Sequence, residues 1–198
     1  MDERLLNARN IVFDVGNVLL SFEPEKVVSL LPAAHRDALA LAMFGQDWRW
    51  SAFDLGVETN EEIAESMAKA AHVPGGKDMV LYAFLHFYET MNPLPLYRLI
   101  PELKGMGKRI FALTNYGEPA FSIAKEHFPH LQLLEGEVVS SREKICKPDE
   151  RIFRLIADRF SIDPSETLFI DDSKANADAA ASLGFQVWHY AAPDILTV

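Results

Sequence analysis

Four short polar segments, far apart along the chain, carry side chains that can handle a phosphoryl group. They are Asp14, Thr114-Asn115, Lys147 and Asp171-Asp172. Three of them follow or end apolar runs, such as Ile11-Val12-Phe13, that are typical of buried strands. Because the carboxyl ends of parallel strands meet at one edge of an open sheet, we expect these segments to lie together.

The side chains of this set match the needs of phosphoryl transfer to an aspartate. The carboxylates of Asp14 and Asp171-Asp172 are the oxygen ligands that a hard cation such as Mg²⁺ prefers. Lys147 supplies a point charge, and Thr114-Asn115 with nearby backbone amides can donate hydrogen bonds to phosphoryl oxygens. Asp14 is then the candidate nucleophile that attacks phosphorus. Each segment alone also fits ordinary turn or capping chemistry, so the hypothesis depends on their occurrence together.

Apolar runs alternate with helical segments over much of the chain, which indicates an α/β fold with a doubly wound parallel sheet. The core elements expected are Arg109–Thr114, Glu137–Ser140, Thr167–Asp172 and Gln186–Tyr190 as strands, with helices at Pro95–Lys104, Glu118–His127, Asp149–Phe160 and Lys174–Leu183. Residues 20–92 carry only helical signals, at Glu25–Leu31, His35–Phe44, Asn60–His72 and Lys77–Met91. We therefore predict a catalytic core of residues 1–19 and 93–198, with a small all-helical cap of residues 20–92 inserted after the first strand.

Composition excludes several classes of function. A formal net charge of −10 over 198 residues disfavours binding to nucleic acid or to an anionic membrane, and no apolar run approaches the ~20 residues that span a bilayer. A single cysteine, Cys146, excludes an internal disulfide. The chain starts Met-Asp-Glu-Arg without an export signal, and we expect it to enter the first strand directly and to be cytoplasmic. We expect a small phosphorylated metabolite as its partner; the sequence indicates no oligomeric state.

The four segments resemble the motifs of the haloacid dehalogenase (HAD) superfamily of aspartate-nucleophile hydrolases, and the resemblance covers nearly the whole chain. The motifs are Phe13–Leu19, Thr114-Asn115, Lys147-Pro148 and Asp171–Asn176. The resemblance implies a Rossmann-like core with a helical cap between the first two motifs. It also implies that the Gly16 carbonyl joins the three aspartates around Mg²⁺, that Thr114-Asn115 and Lys147 hold the phosphate, and that Asn176 orients the metal-binding carboxylates.

The chain departs from most phosphatases of this superfamily at Gly16, where a second aspartate usually acts as general acid and base. That help is typically worth ~10²–10⁴-fold in rate. One interpretation is a metal-independent haloacid dehalogenase, but the adjacent acids Asp171-Asp172 would repel each other without a cation. Another is a catalytically silent phospho-ligand or protein-binding module, against which the retained Asp14 and Lys147 argue.

We favour a third interpretation, a Mg²⁺-dependent phosphatase with Gly-Asn in its first motif, similar to the α-D-glucose-1-phosphate phosphatases. Without a local acid, good leaving groups are the easiest to expel. Anomeric sugar phosphates, acyl phosphates or aryl phosphates are therefore expected in preference to simple alkyl esters, and a sugar phosphate is the favoured substrate.

Substrate selection is expected in the helical insertion, because the four motifs contact only the phosphoryl group. Trp48, Trp50 and Phe53 are predicted to form an apolar wall, with Arg49 reaching a polar substrate. Core packing of a small bundle is the competing explanation for the aromatic residues. Tyr116, just beyond the second motif, is a further candidate to line the site.

Overall fold

A five-stranded parallel sheet forms the centre of the computed structural model, which describes residues 1–45 and 49–190. The strands are β1 (Asn10–Phe13), β2 (Arg109–Thr114), β3 (Gly136–Val139), β4 (Thr167–Asp171) and β5 (Gln186–His189), in the spatial order β3-β2-β1-β4-β5. In the central register, Ile11 lies beside Ile110 of β2 and Leu168 of β4. Strands β2 and β3 follow β1 on one side, and β4 and β5 lie on its other side, so the strand order reverses between β1 and β4. Open α/β sheets bind their ligands at such a switch point. The predicted α/β fold is confirmed.

Helices cover both faces of the sheet and fill the long connection between β1 and β2. They are α1 (Glu3–Asn7), α2 (Pro24–Ser29), α3 (Arg36–Phe44), α4 (Arg49–Leu55), α5 (Asn60–Ala70), α6 (Gly76–His86), α7 (Pro95–Gly105), α8 (Ala120–His127), α9 (Ser140–Glu143), α10 (Glu150–Phe160) and α11 (Lys174–Ser182). Short 3₁₀ helices occur at Phe87–Thr90, Pro129–Leu133 and Pro164–Glu166. None of these helices is long and apolar enough to cross a membrane.

The central strands are buried on both faces because their side chains alternate between two hydrophobic clusters. Ile11 and Phe13 of β1 pack into the cluster that continues into the helical insertion, whereas Val12 packs into the cluster beneath α10 and α11. Each side chain points to the face opposite its neighbour's, as the strand pleat requires. This explains why the core strands have uninterrupted apolar sequences.

The helical connection between β1 and β2, here called the insertion, contains the predicted cap of residues 20–92 and leaves and re-enters the core at one place. The Ser21 amide donates to the Asn92 carbonyl at 2.9 Å, and the Leu94 amide donates to the Leu19 carbonyl at 2.9 Å. Inside the insertion, Trp50 of α4 lies at the centre of an aromatic cluster. Its ring centroid is 4.5 to 5.9 Å from those of Phe22, Phe44, Phe53, Phe84 and Phe87. Aromatic stacking and burial stabilise this part of the fold.

Several elements differ from the sequence-based expectations. The chain does not enter β1 directly, because Asp2 accepts a hydrogen bond from the Arg4 amide and caps the short helix α1. Helices α4 and α9 were not predicted. The helix expected at Lys77–Met91 ends at His86 and continues as the 3₁₀ helix to Thr90. Other boundaries move by one or two residues, which is the usual uncertainty at helix ends.

Candidate active site

A buried ion cluster lies where β1 and β4 end. Asp14 follows β1, and its amide donates to the Ile170 carbonyl at 2.9 Å, which fixes the two strand ends side by side. The Lys147 ammonium lies between two carboxylates, 2.9 Å from Asp14 Oδ1 and 2.6 Å from Asp171 Oδ2. The Lys147 side chain is 1% exposed and that of Asp171 is 0% exposed. Three of the segments singled out in the sequence therefore meet.

The site contains more negative than positive charge. One oxygen of each of Asp14, Asp171 and Asp172 lies within 4.8 Å of the others. Burial, with the neighbouring Asp171, raises the pKa values of Asp14 and Asp172. Burial opposes the charged form of Lys147, yet the carboxylates of Asp14 and Asp171 raise its pKa. Three carboxylates facing one ammonium are a donor set that fits a hard divalent cation.

Asp171 is held in one orientation by neighbours on its own loop. The Asn176 side-chain amide donates to both carboxylate oxygens, at 3.0 and 3.1 Å, and the Ser173 amide donates to Oδ1 at 2.8 Å. Asn176 is buried at the start of α11. The resemblance implies that Asn176 orients the metal-binding carboxylates, and a hydrogen-bond donor in this position can hold a carboxylate in place for a ligand.

The second and third motif segments are joined by a reciprocal pair of hydrogen bonds. The Lys147 amide donates to Asn115 Oδ1 at 2.8 Å, and Asn115 Nδ2 donates to the Lys147 carbonyl at 3.0 Å. Thr114 is buried at the end of β2, in register with Val139 of β3. The loop after β2 is held further by the Tyr116 amide, which donates to Ser140 Oγ at 2.9 Å. Asn115 and Lys147 are thus positioned as a unit.

Asn17 belongs to the site although the sequence analysis assigned it no role. Its φ of 55° places it in the left-handed region, which asparagine tolerates better than most residues. Its Oδ1 accepts from the Phe22 amide at 2.9 Å, and its Nδ2 lies 3.4 Å from Asp172 Oδ2. Asn17 therefore closes the turn after Gly16 and extends toward the acidic cluster. The Gly-Asn pair in the first motif was the available signal.

A cavity of ≈ 250 Å³ opens above the cluster, between the core and the helical insertion. Its polar floor comes from the core, and its other wall comes mainly from the insertion. The lining residues are Asp14, Gly16, Asn17, Asn115 and Asp172 on the floor, and Phe22, Trp50, Asp54, Phe87, Met91 and Tyr116 around it. The expectation that Tyr116 lines the site is confirmed.

The residues predicted for substrate selection do not all lie at the cavity. Trp50 lines the cavity and also packs in the aromatic cluster, so packing accounts for part of its environment, and its role in substrate selection stays a prediction. Arg49 does not line the cavity, and its Nε donates to Ser66 Oγ of α5 at 3.0 Å. Phe53 is fully buried and stacks on Phe84 at 4.2 Å. Trp48 lies outside the described residues.

Asp54 of α4 is the unexpected polar residue in the cavity wall, and it is partly exposed there. Burial, and then the charge of Asp14, raise the pKa of Asp54 to about 8. Its backbone carbonyl accepts a hydrogen bond from Ser140 Oγ at 2.5 Å, which ties α4 to the core. The signal in the sequence was weak: an acid directly after the aromatic residues of α4.

The sequence of residues 8–184 matches the haloacid dehalogenase-like hydrolases. The chain belongs to this family. It is 25% identical over 181 residues to the sesquiterpene phosphatase astK of Aspergillus oryzae, a match that covers 90% of this chain and 87% of that protein.

Solved structures share the fold. A HAD family enzyme of Bacteroides thetaiotaomicron, in complex with magnesium and inorganic phosphate, superposes with a TM-score of 0.79 at 20% identity, over 96% of this chain and 98% of that one. The L-2-haloacid dehalogenase of Xanthobacter autotrophicus superposes with a TM-score of 0.66 at 16% identity, over 91% and 76%. Because a dehalogenase shares the fold, the fold alone does not determine which reaction this chain catalyses.

Proposed function

We propose that this hydrolase is a Mg²⁺-dependent phosphatase that cleaves a small phosphorylated metabolite through an aspartyl phosphate on Asp14. The observation that carries the proposal is the buried cluster in which Asp14 contacts Lys147 and lies within 4.8 Å of Asp171 and Asp172. A nucleophile beside a fixed ammonium and two further carboxylates suits a dianionic substrate accompanied by a cation. The sesquiterpene phosphatase relative supports the same reaction class.

The metal in this proposal is held by Asp14, Asp171, Asp172 and the backbone carbonyl of Gly16. Asn176 keeps the Asp171 carboxylate in its orientation through the two hydrogen bonds that it donates. When bound, Mg²⁺ supplies positive charge against the phosphoryl oxygens. The fit rests on the excess of carboxylates over ammonium groups in the cluster.

The reaction itself is assigned to the side chains of the core. An oxygen of Asp14 attacks phosphorus, the bond to the leaving oxygen breaks, and water later releases phosphate from Asp14. Lys147 and Thr114-Asn115 hold the phosphoryl oxygens and neutralise the charge that develops on them. The paired hydrogen bonds between Asn115 and Lys147 keep these groups in a constant geometry.

The substrate class follows from the size and lining of the cavity. A volume of ≈ 250 Å³ suits a small molecule. Aromatic side chains such as Trp50 and Phe87 can contact the apolar face of a sugar ring, while Asn17 can bind a hydroxyl group. We propose a sugar phosphate as the favoured substrate and place the chain in the branch with Gly16-Asn17 in its first motif, similar to the α-D-glucose-1-phosphate phosphatases.

The same proposal assigns different tasks to two parts of the chain. Residues 1–19 and 93–198 form the catalytic core, and residues 20–92 form a cap that covers the site and selects the substrate. Trp50 is the cap residue for which the cavity gives direct support. A selective role for Trp48 and Arg49 remains a prediction from the sequence.

A phosphate-release assay tests the function. Glucose 1-phosphate, an aryl phosphate and an alkyl phosphate are each incubated with the wild-type protein and Mg²⁺, with and without EDTA. Asp14→Asn is expected to lower release by at least about 1,000-fold, since it removes the attacking oxygen. The control Asp158→Asn, at an exposed position on α10, is expected to keep wild-type activity.

Two results would overturn the proposal. One is phosphate release that neither EDTA nor Asp14→Asn reduces. The other is release of halide from a 2-haloacid in EDTA with no phosphatase activity, which would assign the chain to the dehalogenases.

A further inference from the structure

The first motif lacks an acid, although the structure has space for one. Among the residues that the structure describes, a Cβ atom built on Gly16 would meet only the Cβ of Phe22, at 3.9 Å, which is an ordinary contact. Steric exclusion therefore does not explain the glycine. The leaving oxygen and the attacking water still need a proton donor and acceptor, whose help is typically worth ~10²–10⁴-fold in rate.

Asp54 is the carboxylate in this cavity that has no place in the metal cluster. Of the described residues that line the cavity, three carry a carboxylate: Asp14, Asp172 and Asp54. The first two belong to the group whose oxygens lie within 4.8 Å of each other, together with Asp171. Asp54 is outside that group and lines the cavity from the insertion. Because attack by Asp14 is in line with the breaking bond, a leaving group is expected opposite Asp14, toward the insertion.

The position of Asp54 is fixed by contacts between the end of α4 and the core. Ser140 Oγ donates to the Asp54 carbonyl at 2.5 Å, and the Lys144 ammonium donates to the carbonyl of Gly56. Gly56 has a φ of +64°, and a Cβ atom there would lie 2.7 to 2.9 Å from atoms of Ser141. Only glycine allows this approach, so α4 is seated tightly on the loop that leads to Lys147.

We infer that Asp54 is the general acid and base of this site, acting from the helical insertion in place of the aspartate that is absent at Gly16. The inference rests on the proposed phosphatase function. In the first step, Asp14 bonds to phosphorus, the bond between phosphorus and the leaving oxygen breaks, and that oxygen takes the proton of the Asp54 carboxyl.

In the second step, the Asp54 carboxylate takes a proton from water as the water oxygen bonds to phosphorus. The bond between phosphorus and Asp14 then breaks, and Asp14 leaves as a carboxylate. Asp54 ends protonated, so the cycle consumes one water and one phosphate ester and leaves the enzyme unchanged. The raised pKa of Asp54 supports the first step, because the carboxyl holds its proton at neutral pH.

The test compares leaving groups of different quality. Steady-state rates are measured with Mg²⁺ for 4-nitrophenyl phosphate, whose leaving group needs little protonation, and for glycerol 2-phosphate, an alkyl ester that needs a proton. Asp54→Asn is expected to lower kcat/KM, which reports the steps up to release of the leaving group, by ~10²-fold or more for the alkyl ester and by less than ~10-fold for the aryl ester. Asp158→Asn again serves as the control.

The double variant Asp54→Asn with Gly16→Asp provides a second measurement. It returns an acid to the first motif, and its kcat for the alkyl ester is expected to exceed that of Asp54→Asn. If Asp54→Asn does not fold, the wild-type protein decides. Its kcat/KM values for the two esters are expected to agree within ~10-fold, and a larger preference for the aryl ester would overturn the inference.

Three results of the variant experiments count against Asp54. A loss of kcat/KM of equal size for both esters, a change confined to KM, or a double variant no faster than Asp54→Asn would assign Asp54 to substrate binding or structure. None of these affects the proposed function, which Asp14→Asn and EDTA test separately. If Asp54 supplies the proton, the expected preference for good leaving groups loses its basis, and a sugar substrate is favoured by the cavity alone.

Discussion

Replacement of Lys147 by methionine tests whether the buried cluster has the charge balance that the proposed function requires. Methionine keeps much of the aliphatic stem and removes the ammonium that contacts Asp14 at 2.9 Å and Asp171 at 2.6 Å. In the absence of metal, the variant leaves carboxylates facing one another with no positive charge between them.

The size of the effect follows from burial. The Lys147 side chain is 1% exposed, and its partners Asp14 and Asp171 are 12% and 0% exposed, so solvent screens the pairs very little. Removal of one partner of a buried ion pair costs about 3–5 kcal/mol. For a protein of this length, that lowers Tm by on the order of 10 °C. Protonation of Asp14, whose pKa is already raised, keeps the cost from being larger.

The assay is urea unfolding in EDTA, followed by circular dichroism. The matched control is Lys174→Met, in which the lysine pairs with Asp178 at 2.6 Å and both side chains are largely exposed, at 73% and 65%. Such an exposed pair within one helix is worth less than about 0.5 kcal/mol. Addition of Mg²⁺ is expected to stabilise Lys147→Met, because a cation then occupies the acidic cluster.

Equal stabilities of the two lysine variants in EDTA would refute this reasoning. That result would mean that Lys147 is not the counter-charge of the buried carboxylates, and the electrostatic basis of the proposed site would be lost.

Two further predictions concern the contact between insertion and core and the response to pH. Gly117→Ala should lower the free energy of unfolding by about 1–3 kcal/mol, because its Cβ atom would lie 2.3 to 2.5 Å from ring atoms of Phe53. The control is Gly105→Ala at the end of α7, which should be neutral or stabilising because a Cβ atom there has no described atom within 4 Å. A urea midpoint at or above wild type for Gly117→Ala would contradict this. Because the pKa of Asp54 is raised to about 8 from an ordinary 3.8, the folded state retains a proton that the unfolded state releases. Metal-free stability should therefore decrease as pH rises between these values, and Asp54→Asn should decrease less between pH 5 and pH 8; an equal decrease for both would exclude this source of pH dependence.

The sheet was predictable because its central strands are buried on both faces. Runs such as Ile110–Leu113 must be apolar at every position, so periodicity and position in the chain suffice to identify them. Helix α5 was predictable for a local reason as well. The Thr59 hydroxyl accepts from the Glu62 amide, and Glu62 accepts from the Thr59 amide, a pairing that the sequence Thr-Asn-Glu-Glu encodes within four residues.

The acidic cluster was predictable in composition, and its proposed roles await the experiments above. Asp14 and Asp171 end neighbouring strands, so topology alone brings them together. Asp54 was not predictable in this way. Its place in the cavity depends on the contact of Ser140 with its carbonyl, which joins residues 86 positions apart and has no local sequence pattern. The position of the Asn17 side chain likewise depends on a left-handed backbone conformation, which asparagine tolerates but does not enforce.

The hydrogen bonds between Leu19–Ser21 and Asn92–Leu94 determine how easily the insertion between them could be replaced by another segment. Because these two segments lie side by side, the residues between them form a loop whose two ends meet. The entropic cost of closing such a loop depends only weakly on its length. A different segment whose ends lie close together could therefore replace the insertion without any change in the order of the strands in the sheet. Under the proposed division of roles, the exchange would leave Asp14 in place and change the residues that contact the substrate, so substrate recognition could change while the reaction stayed the same.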